Sequence, residues 1–411
     1  MAESKLIGLL LSIEDDWPKA FEALSKRMGQ VKFEGKAYDI NTERIHIRPF
    51  NLRDKVRHDV VIDRLAWWHP NPREWLKKAS LMNDLYLLNN PFTFQSMEKH
   101  SAYCAMIRLG LKVPETVLVP QKVGPDNERY QRTAEKYHEM FDLPAIANEV
   151  GYPLFMKPFD GGGWRGVSKI DNEGELMRAY DESAQTMMHL QRGLVDYEVF
   201  VRSLGVGPQV ISLSYDPSQP MHGRYSVAHD FLSAEKGREA RAITKIINAF
   251  FRWDFNSCEA ILKGGTLWPM DFANACPDVA LTSLHYYFPW AIKSLYAWSA
   301  FCAVTDRPMH VTLDIQPYFD IADSDRSYEE KLDAYEALAD KHFDTERFNE
   351  FRASSMKDLD EVMWDLVGSD EFDAIIGGAV DDTFPEHERE TFGAHYRGLL
   401  EHWREAEAPK T

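Results

Sequence analysis

Residues Tyr152 to Ile170 read YPLFMKPFDGGGWRGVSKI. An apolar run, Tyr152 to Met156, leads into Lys157 and Pro158, and the chain then passes through Gly161, Gly162 and Gly163. Trp164, Arg165 and Gly166 follow, and Val167 to Ile170 has extended character again. The pattern is strand, glycine-rich loop, strand, with a lysine at the strand end. Consecutive glycines let backbone N–H groups approach an anionic oxygen, because no Cβ blocks them. A lysine aimed at the same place adds a point charge, so the stretch points to phosphate and hence to a nucleotide. Gly161, Gly163 and Gly166 satisfy G-x-G-x-x-G, a weak signal by itself. A dinucleotide-binding turn needs a helix directly after the glycines, where this chain has an extended Val167–Ile170. No G-K-[ST] ending makes it a P-loop, and no H-R-D or D-F-G follows to make it a protein-kinase loop. A tight hairpin with no ligand is the bland alternative. Four glycines around a Trp-Arg tip would then lose much chain entropy without use.

Composition sets limits around this stretch. A chain of 411 residues is long enough for two or three domains, and 44% hydrophobic with 27% charged residues is a globular profile. The net charge of −18 argues against nucleic acid as a main partner, since phosphate backbones demand surplus Lys and Arg. It does not prevent binding of ATP in a local basic pocket. Cys104, Cys258, Cys276 and Cys302 lie far apart without a CxxC pair, which speaks against structural zinc and a disulfide framework. The start of the chain has a short apolar run broken by acids, closer to a first strand than to a signal peptide. No run approaches the roughly 18 apolar residues of a membrane span, so no membrane partner and a cytoplasmic location are expected.

Along the chain, Leu6–Leu11 reads as a buried strand, Asp15–Met28 as a helix, Ile45–Pro49 as extended and His58–Ile62 as a second buried strand. Strands mixed with helices predict an α/β layer up to about Asn90, where Asn89-Asn90-Pro91 is a turn signal. A helix is expected from Ser96 to Leu109, ended by Gly110, then an extended Val113–Val119 and a polar loop from Gln121 to Tyr130. Ala134–Val150 and Asn172–Ser183 read as helical, and Met187–Arg192, Glu198–Leu204 and Val210–Tyr215 as strands. After the helix Arg238–Phe251, two alternating runs flank Gly264-Gly265, a two-glycine hairpin turn. From Leu284 onward the chain turns helical and acidic. Its last helix carries Phe392, Tyr396, Leu399 and Trp403 as a packing stripe.

The second decisive stretch is Asn256 to Asp278, NSCEAILKGGTLWPMDFANACPD. On the hairpin reading Glu259 lies on one strand and Asp271 on the return strand, with Asn274 just after it. Two carboxylates and an amide oxygen are hard ligands, a set suited to magnesium with positions left for water and phosphate. A solvated hairpin with ordinary polar residues is the alternative. The phosphate loop adds weight to the metal, because phosphoryl transfer needs a bridging divalent ion.

With these parts in this order, His58 to Asp278 resembles an ATP-grasp enzyme of the carboxylate–amine ligase kind, with a glutathione synthetase-like ATP-grasp domain. The resemblance implies an α+β fold in which two subdomains clasp ATP behind an α/β N-terminal domain. It divides the chain into an N-terminal domain at 1–90, subdomains at 91–190 and 191–285, and an acidic helical extension at 286–411. By resemblance Lys99 and Lys157 reach the nucleotide, and Gly161, Gly162, Gly163, Trp164 and Gly166 belong to a flap over the phosphates. Gln191 stands where the family usually carries an acid facing the adenine amino group, and its side-chain oxygen would accept there instead. Leu194 and Val195 would line the adenine, and Glu198 would accept from the ribose hydroxyls. Glu259, Asp271 and Asn274 match the magnesium set, the last pair being one residue longer than the usual Glu-x-Asn. Asp254 is a rival for the first ligand.

The activity implied is ATP- and Mg²⁺-dependent. A substrate carboxylate becomes an acyl phosphate and is taken by an amine, giving an amide or peptide bond with ADP and phosphate. A cation must hold the small-molecule carboxylate, and the order of candidates is Arg252, then Arg64, with Arg202 and Arg224 behind them. Arg64 stands near Trp67, Trp68 and His69, which would wall a substrate pocket. Two alternatives stay open: an ATP-grasp kinase that stops at a phosphorylated small molecule, and a nucleotide-binding protein without turnover. The acidic tail is expected to cap the site, to form a homodimer surface, or both. His387, His395 and His402 have no metal spacing, and Cys258 and Cys276 read as small buried residues.

Overall fold

A computed structural model describes residues 2–93, 98–137, 139–162 and 164–408. The chain forms two compact units. Unit 1 takes residues 1–94, 202–257 and 275–411, and unit 2 takes 95–201 and 258–274. Residues from the expected first, third and fourth segments therefore fall together in unit 1. The architecture is mixed α+β, with three sheets and a helical C-terminal region.

Unit 1 begins with a sheet of order β2-β3-β1-β4-β5, made of β1 (Glu3–Leu10), β2 (Gln30–Phe33), β3 (Lys36–Arg44), β4 (Val60–Asp63) and β5 (Tyr86–Leu88). β1 runs parallel to β3 and β4, β4 runs parallel to β5, and β2 joins antiparallel to β3. Parallel strands need crossover helices. α1 (Asp16–Met28) and α2 (Pro70–Met82) occupy the chain between strands. The hairpin β2–β3 was not legible from the sequence, because Gln30, Lys32 and Lys36 hide the alternation that Val31, Phe33 and Tyr38 provide. Its turn places Glu34 and Gly35 at φ 48° and 78°. The extended piece expected at Ile45–Pro49 lies just past the end of β3, with no regular structure beyond a bond from Ile45 N to Leu9 O of 2.8 Å.

The core of unit 1 comes from the C-terminal third. α9 (Phe288–Val304) is apolar nearly all round and almost wholly buried, as such a helix must be. It packs on β1, β4 and α1, so the tail begins as the inner layer of the N-terminal sheet. α7 (Ala234–Phe251) and α11 (Tyr328–Phe343) pack against each other.

Unit 2 holds a four-stranded antiparallel sheet of order β6-β9-β7-β8. The strands are β6 (Thr116–Val119), β7 (Leu154–Pro158), β8 (Ser168–Ile170) and β9 (Met188–Arg192). One face is apolar: Val119, Leu154, Met156, Ile170, Met188 and Leu190 pack under α5 (Leu143–Val150) and α6 (Glu173–Ser183). Both helices start at side-chain caps, Asp142 accepting from Ala145 N at 3.0 Å and Asn172 from Glu175 N at 3.0 Å. Between β6 and α5 lies α4 (Glu128–Tyr137), where the sequence predicts a loop running into one continuous helix. α3 (Lys99–Arg108) ends at Gly110, with φ 80°.

A second five-stranded sheet has the order β12-β11-β10-β13-β14. Its strands are β10 (Val199–Val206), β11 (Gln209–Tyr215), β12 (Tyr225–Ser226), β13 (Phe255–Lys263) and β14 (Thr266–Ala275). The Gly264-Gly265 turn joins β13 to β14, both glycines at positive φ, 59° and 69°. This is the two-residue geometry that glycine adopts without strain.

Candidate active site

The unit-2 sheet alternates, as strands must. Residues on the face opposite the apolar core include Lys157 on β7 and His189 and Gln191 on β9, with Lys157 directly across from His189. Both nucleotide lysines expected from the sequence, Lys99 and Lys157, belong to this unit and are buried, at 6% and 9% exposure.

Lys157 Nζ donates to Gln191 Oε1 at 2.6 Å, a diagonal cross-strand contact, and Gln191 Nε2 donates to Thr116 Oγ1 at 2.9 Å. An ammonium only donates, so the amide oxygen must face Lys157. In this structure the Gln191 oxygen accepts from the lysine and its nitrogen donates to Thr116. Burial pushes the Lys157 ammonium down to about 8, the charge of Lys99 adds to that, and Asp271 and Glu259 oppose it. Both carboxylates also act on the buried Tyr103 phenol, which burial raises well above its usual range. Asp271 and Glu259 thus lie within electrostatic reach of the same two groups, as the hairpin reading requires.

Lys99 opens α3. Its backbone N–H donates to Phe159 O at 2.8 Å, and its Nζ donates to Gly161 O at 2.7 Å. The same Nζ forms an ion pair with Asp271 Oδ2 at 3.1 Å. Lysine, glycine loop and β14 carboxylate are therefore joined in one cluster. Tyr103, one turn on, donates from its hydroxyl to Met270 O at 2.8 Å.

In the loop, Gly161, Trp164 and Gly166 have φ 96°, 62° and 69°. A Cβ on Gly166 would stand 3.0 Å from Pro158 Cγ. Gly163 lies outside the described residues. The Trp164 ring is 47% exposed and meets the Phe155 ring edge-on at 6.4 Å. Past β9, Gly193 N donates to Pro153 O at 2.8 Å, and Leu194 and Val195 are half-buried. Lys263 Nζ donates to Val195 O. Glu198 is exposed, and its Oε1 accepts from Gly264 N at 2.7 Å and Gly265 N at 3.4 Å. In this structure the expected ribose acceptor caps the hairpin turn.

The two arginines expected to hold a substrate carboxylate fall in unit 1 with their guanidinium groups engaged. Arg64, at the end of β4, pairs with Glu14 and donates to Cys276 O and, at 2.6 Å, to Pro277 O. Arg252 is the left-handed cap of α7, donating to Thr312 O at 3.0 Å and to His342 Nδ1 at 2.5 Å. Burial and the nearby arginines push His342 down to about 2, so the ring stays neutral and accepts. Both arginines donate to loop carbonyls in this structure. Asp254, the rival metal ligand, is also occupied, accepting from Tyr86 Oη at 2.5 Å and Trp298 Nε1 at 2.8 Å. Asp254 lies in unit 1, whereas Glu259, Asp271 and Asn274 all lie in unit 2. Among the described residues no group of three His, Cys, Asp or Glu side chains is placed to hold a metal, so a metal here relies on the mixed set with Asn274.

The sequence did not single out Tyr103, Thr116 or His189. Thr116 closes the Val113-Pro114-Glu115-Thr116 stretch without a role read for it, and the alternation of β9 around Gln191 was the only available signal for His189.

No protein-family profile matches the chain. A stretch of 69 residues is 35% identical to D-alanine–D-alanine ligase A of Chromobacterium violaceum, covering 17% of this chain and 16% of that protein. Among solved structures, the chain is similar to a RimK domain ATP-grasp protein from Sphaerobacter thermophilus, with 12% identity, TM-score 0.49, and coverage of 72% of this chain and 99% of that one. It is also similar to D-alanine–D-alanine ligase from Bacillus anthracis complexed with ATP, with 13% identity, TM-score 0.47, and coverage of 83% and 99%. Among the described residues no helix is long and apolar enough to cross a membrane.

Proposed function

We propose that the chain is an ATP-grasp enzyme that uses ATP and Mg²⁺ to join a small-molecule carboxylate to an amine. The observation that carries this reading is the cluster in unit 2: buried Lys99 and Lys157, the Gly161 carbonyl, and Asp271 with Glu259 close by. Two buried ammonium groups, one bonded to a neutral amide, call for an anion of high charge. A polyphosphate under a glycine-rich loop fits that demand.

In this reading Lys99 and Lys157 neutralise phosphate oxygens, and the loop from Gly161 to Gly166 closes over them. Leu194 and Val195 line the base, and Glu198 exchanges its turn contacts for the ribose hydroxyls. Glu259, Asp271 and Asn274 would hold magnesium, and their all-oxygen donor set suits that ion. A magnesium ion held by these three residues would supply positive charge to offset the charge that develops as the γ-phosphoryl group transfers. Lys99 gives up Asp271 for phosphate as the site fills, freeing the carboxylate. The protein's share of the rate then comes from positioning and fixed charge. An amine attacks the acyl phosphate, forming the C–N bond and releasing phosphate.

The test is ADP release from ATP and Mg²⁺ with pooled carboxylates and amines, followed by mass spectrometry of the product. An amide is expected, and Lys157→Ala and Asp271→Ala should abolish ADP formation with the far-UV circular dichroism unchanged. Full turnover by either folded variant would overturn the site. A stable phosphorylated product in place of the amide would make the protein a kinase. ATP binding with no turnover in any pool would make it a binding module.

A further inference from the structure

β9 carries a histidine that packing does not explain. His189 is 1% exposed, and neither Nδ1 nor Nε2 has a hydrogen-bond partner among the described residues. Buried histidines normally donate from one ring nitrogen to a carbonyl or carboxylate. Leaving both unbonded is unfavourable, and a phenylalanine or leucine would fill the same space without that penalty. A polar ring kept in such a place needs a partner from outside the protein.

Its surroundings say which kind. On its own sheet face His189 stands across from Lys157 and two residues from Gln191. α3 packs over it: the His100 ring stacks at 5.8 Å and 12°, and the Tyr103 ring meets it edge-on at 5.5 Å. The charged or titratable groups that act on it are His100 and Lys99 from α3 and Lys157 from β7, with no acid among them. Together with burial, which is the larger cause, they push its ring down to about 3, so it is neutral in this structure. β7 and β9 are antiparallel, so His189 lies nearer the glycine-loop end of the sheet than Gln191 does. It sits beside both lysines at the end expected to hold phosphate.

We propose that His189 is a third phosphate-binding group. A ring N–H donates to a non-bridging phosphate oxygen of the bound nucleotide. Because that phosphate offsets the lysine charges, the second ring nitrogen takes up one proton from solvent, and the anion is held by an imidazolium. The proposal rests on reading the unit-2 cluster as a nucleotide site. It adds a residue outside the set expected from the motifs.

Calorimetric titration of the full chain with adenylyl imidodiphosphate and Mg²⁺, at pH 6.5 in two buffers of different ionisation enthalpy, counts protons taken up on binding. Lys157 is already protonated at that pH. Ionisation of the ligand itself is common to all variants. His189→Gln is expected to lose proton uptake relative to the unaltered chain and to bind about ten-fold more weakly, the worth of one hydrogen bond to a charged group. His189→Asn serves the same purpose if His189→Gln does not fold. A variant with unchanged affinity and unchanged uptake, beside an unaltered chain that binds, overturns the role of His189 and leaves the nucleotide reading standing. Absence of binding by the unaltered chain overturns both.

Discussion

At the scale of single residues, Lys157 is the most exposed to test. Its folded pKa, about 8, is below the ordinary 10.5. The buried ammonium therefore penalises the fold in full below about pH 8. That penalty is relieved as pH rises from 8 toward 10.5, where the unfolded chain still holds the proton. Anion binding has the opposite requirement, since it needs the protonated form. Nucleotide affinity is accordingly expected to fall above about pH 8. Lys157→Arg should flatten that limb, because a guanidinium stays charged. Gln191→Glu should move it upward, by placing a carboxylate where the amide oxygen now stands at 2.6 Å from the ammonium. Titrating an ATP analogue from pH 7 to 9.5 reads all three, and identical profiles would refute the placement of Lys157. Lys157, Lys99 and Asp271 were legible in the sequence because motif position marks them. Thr116 and Tyr103 were not, since their contacts to Gln191 and to Met270 and His189 arise only on folding.

At the scale of elements, the β13–β14 hairpin and the β7–β9 pair carry the site. The hairpin was legible because Gly264-Gly265 between alternating runs has one common solution. What the sequence left open was its brace, Glu198 accepting from both turn amides. Glu198→Ala should lower stability by about 1 kcal/mol, measured by urea unfolding. If the ribose role is also right, the KM for ATP should rise in the same variant. The end of β9 is tighter. A Cβ on Gly193 would fall 2.6 Å from the carbonyl oxygen of Pro153, a backbone atom that cannot swing away. Gly193→Ala is expected to destabilise unit 2 by about 1–3 kcal/mol, with hydrogen exchange rising first in β7 and β9. Unchanged protection there would show that the strand ends relax freely.

Across the whole molecule, buried titratable groups set the response to acid. His189, His285 and His342 are pushed down to about 3, 4 and 2, chiefly by burial. Each folded pKa is below the unfolded value, so the unfolded chain binds protons first, and stability is lost as pH falls below about 6.5. Asp16 and Asp63 are raised to about 6 by burial, so each adds stability as pH falls from about 6 toward 4. Each group changes stability by about 1.4 kcal/mol per pH unit inside its window. Burial lowers His58 and His310 in the same direction and raises Asp254 and Glu98. Five histidines therefore act against four acids, and because the histidine window opens first, the urea midpoint should drop between pH 6.5 and 5. A flat or rising midpoint would show that these rings find partners that keep them ionisable.

The sequence by itself determined the parts whose information is local. A glycine-rich loop, a lysine at a strand end and a two-glycine hairpin each need only their neighbours in the chain. Their residues could therefore be named from spacing. Tertiary structure alone decided the rest. It turned Gln191 toward Lys157, gave Arg64 and Arg252 to loop carbonyls and filled Asp254. It also made the apolar α9 the inner layer of the N-terminal sheet. Those polar outcomes depend on residues from 34 to 213 positions apart competing for the same few donors and acceptors, and no local pattern records which of them wins.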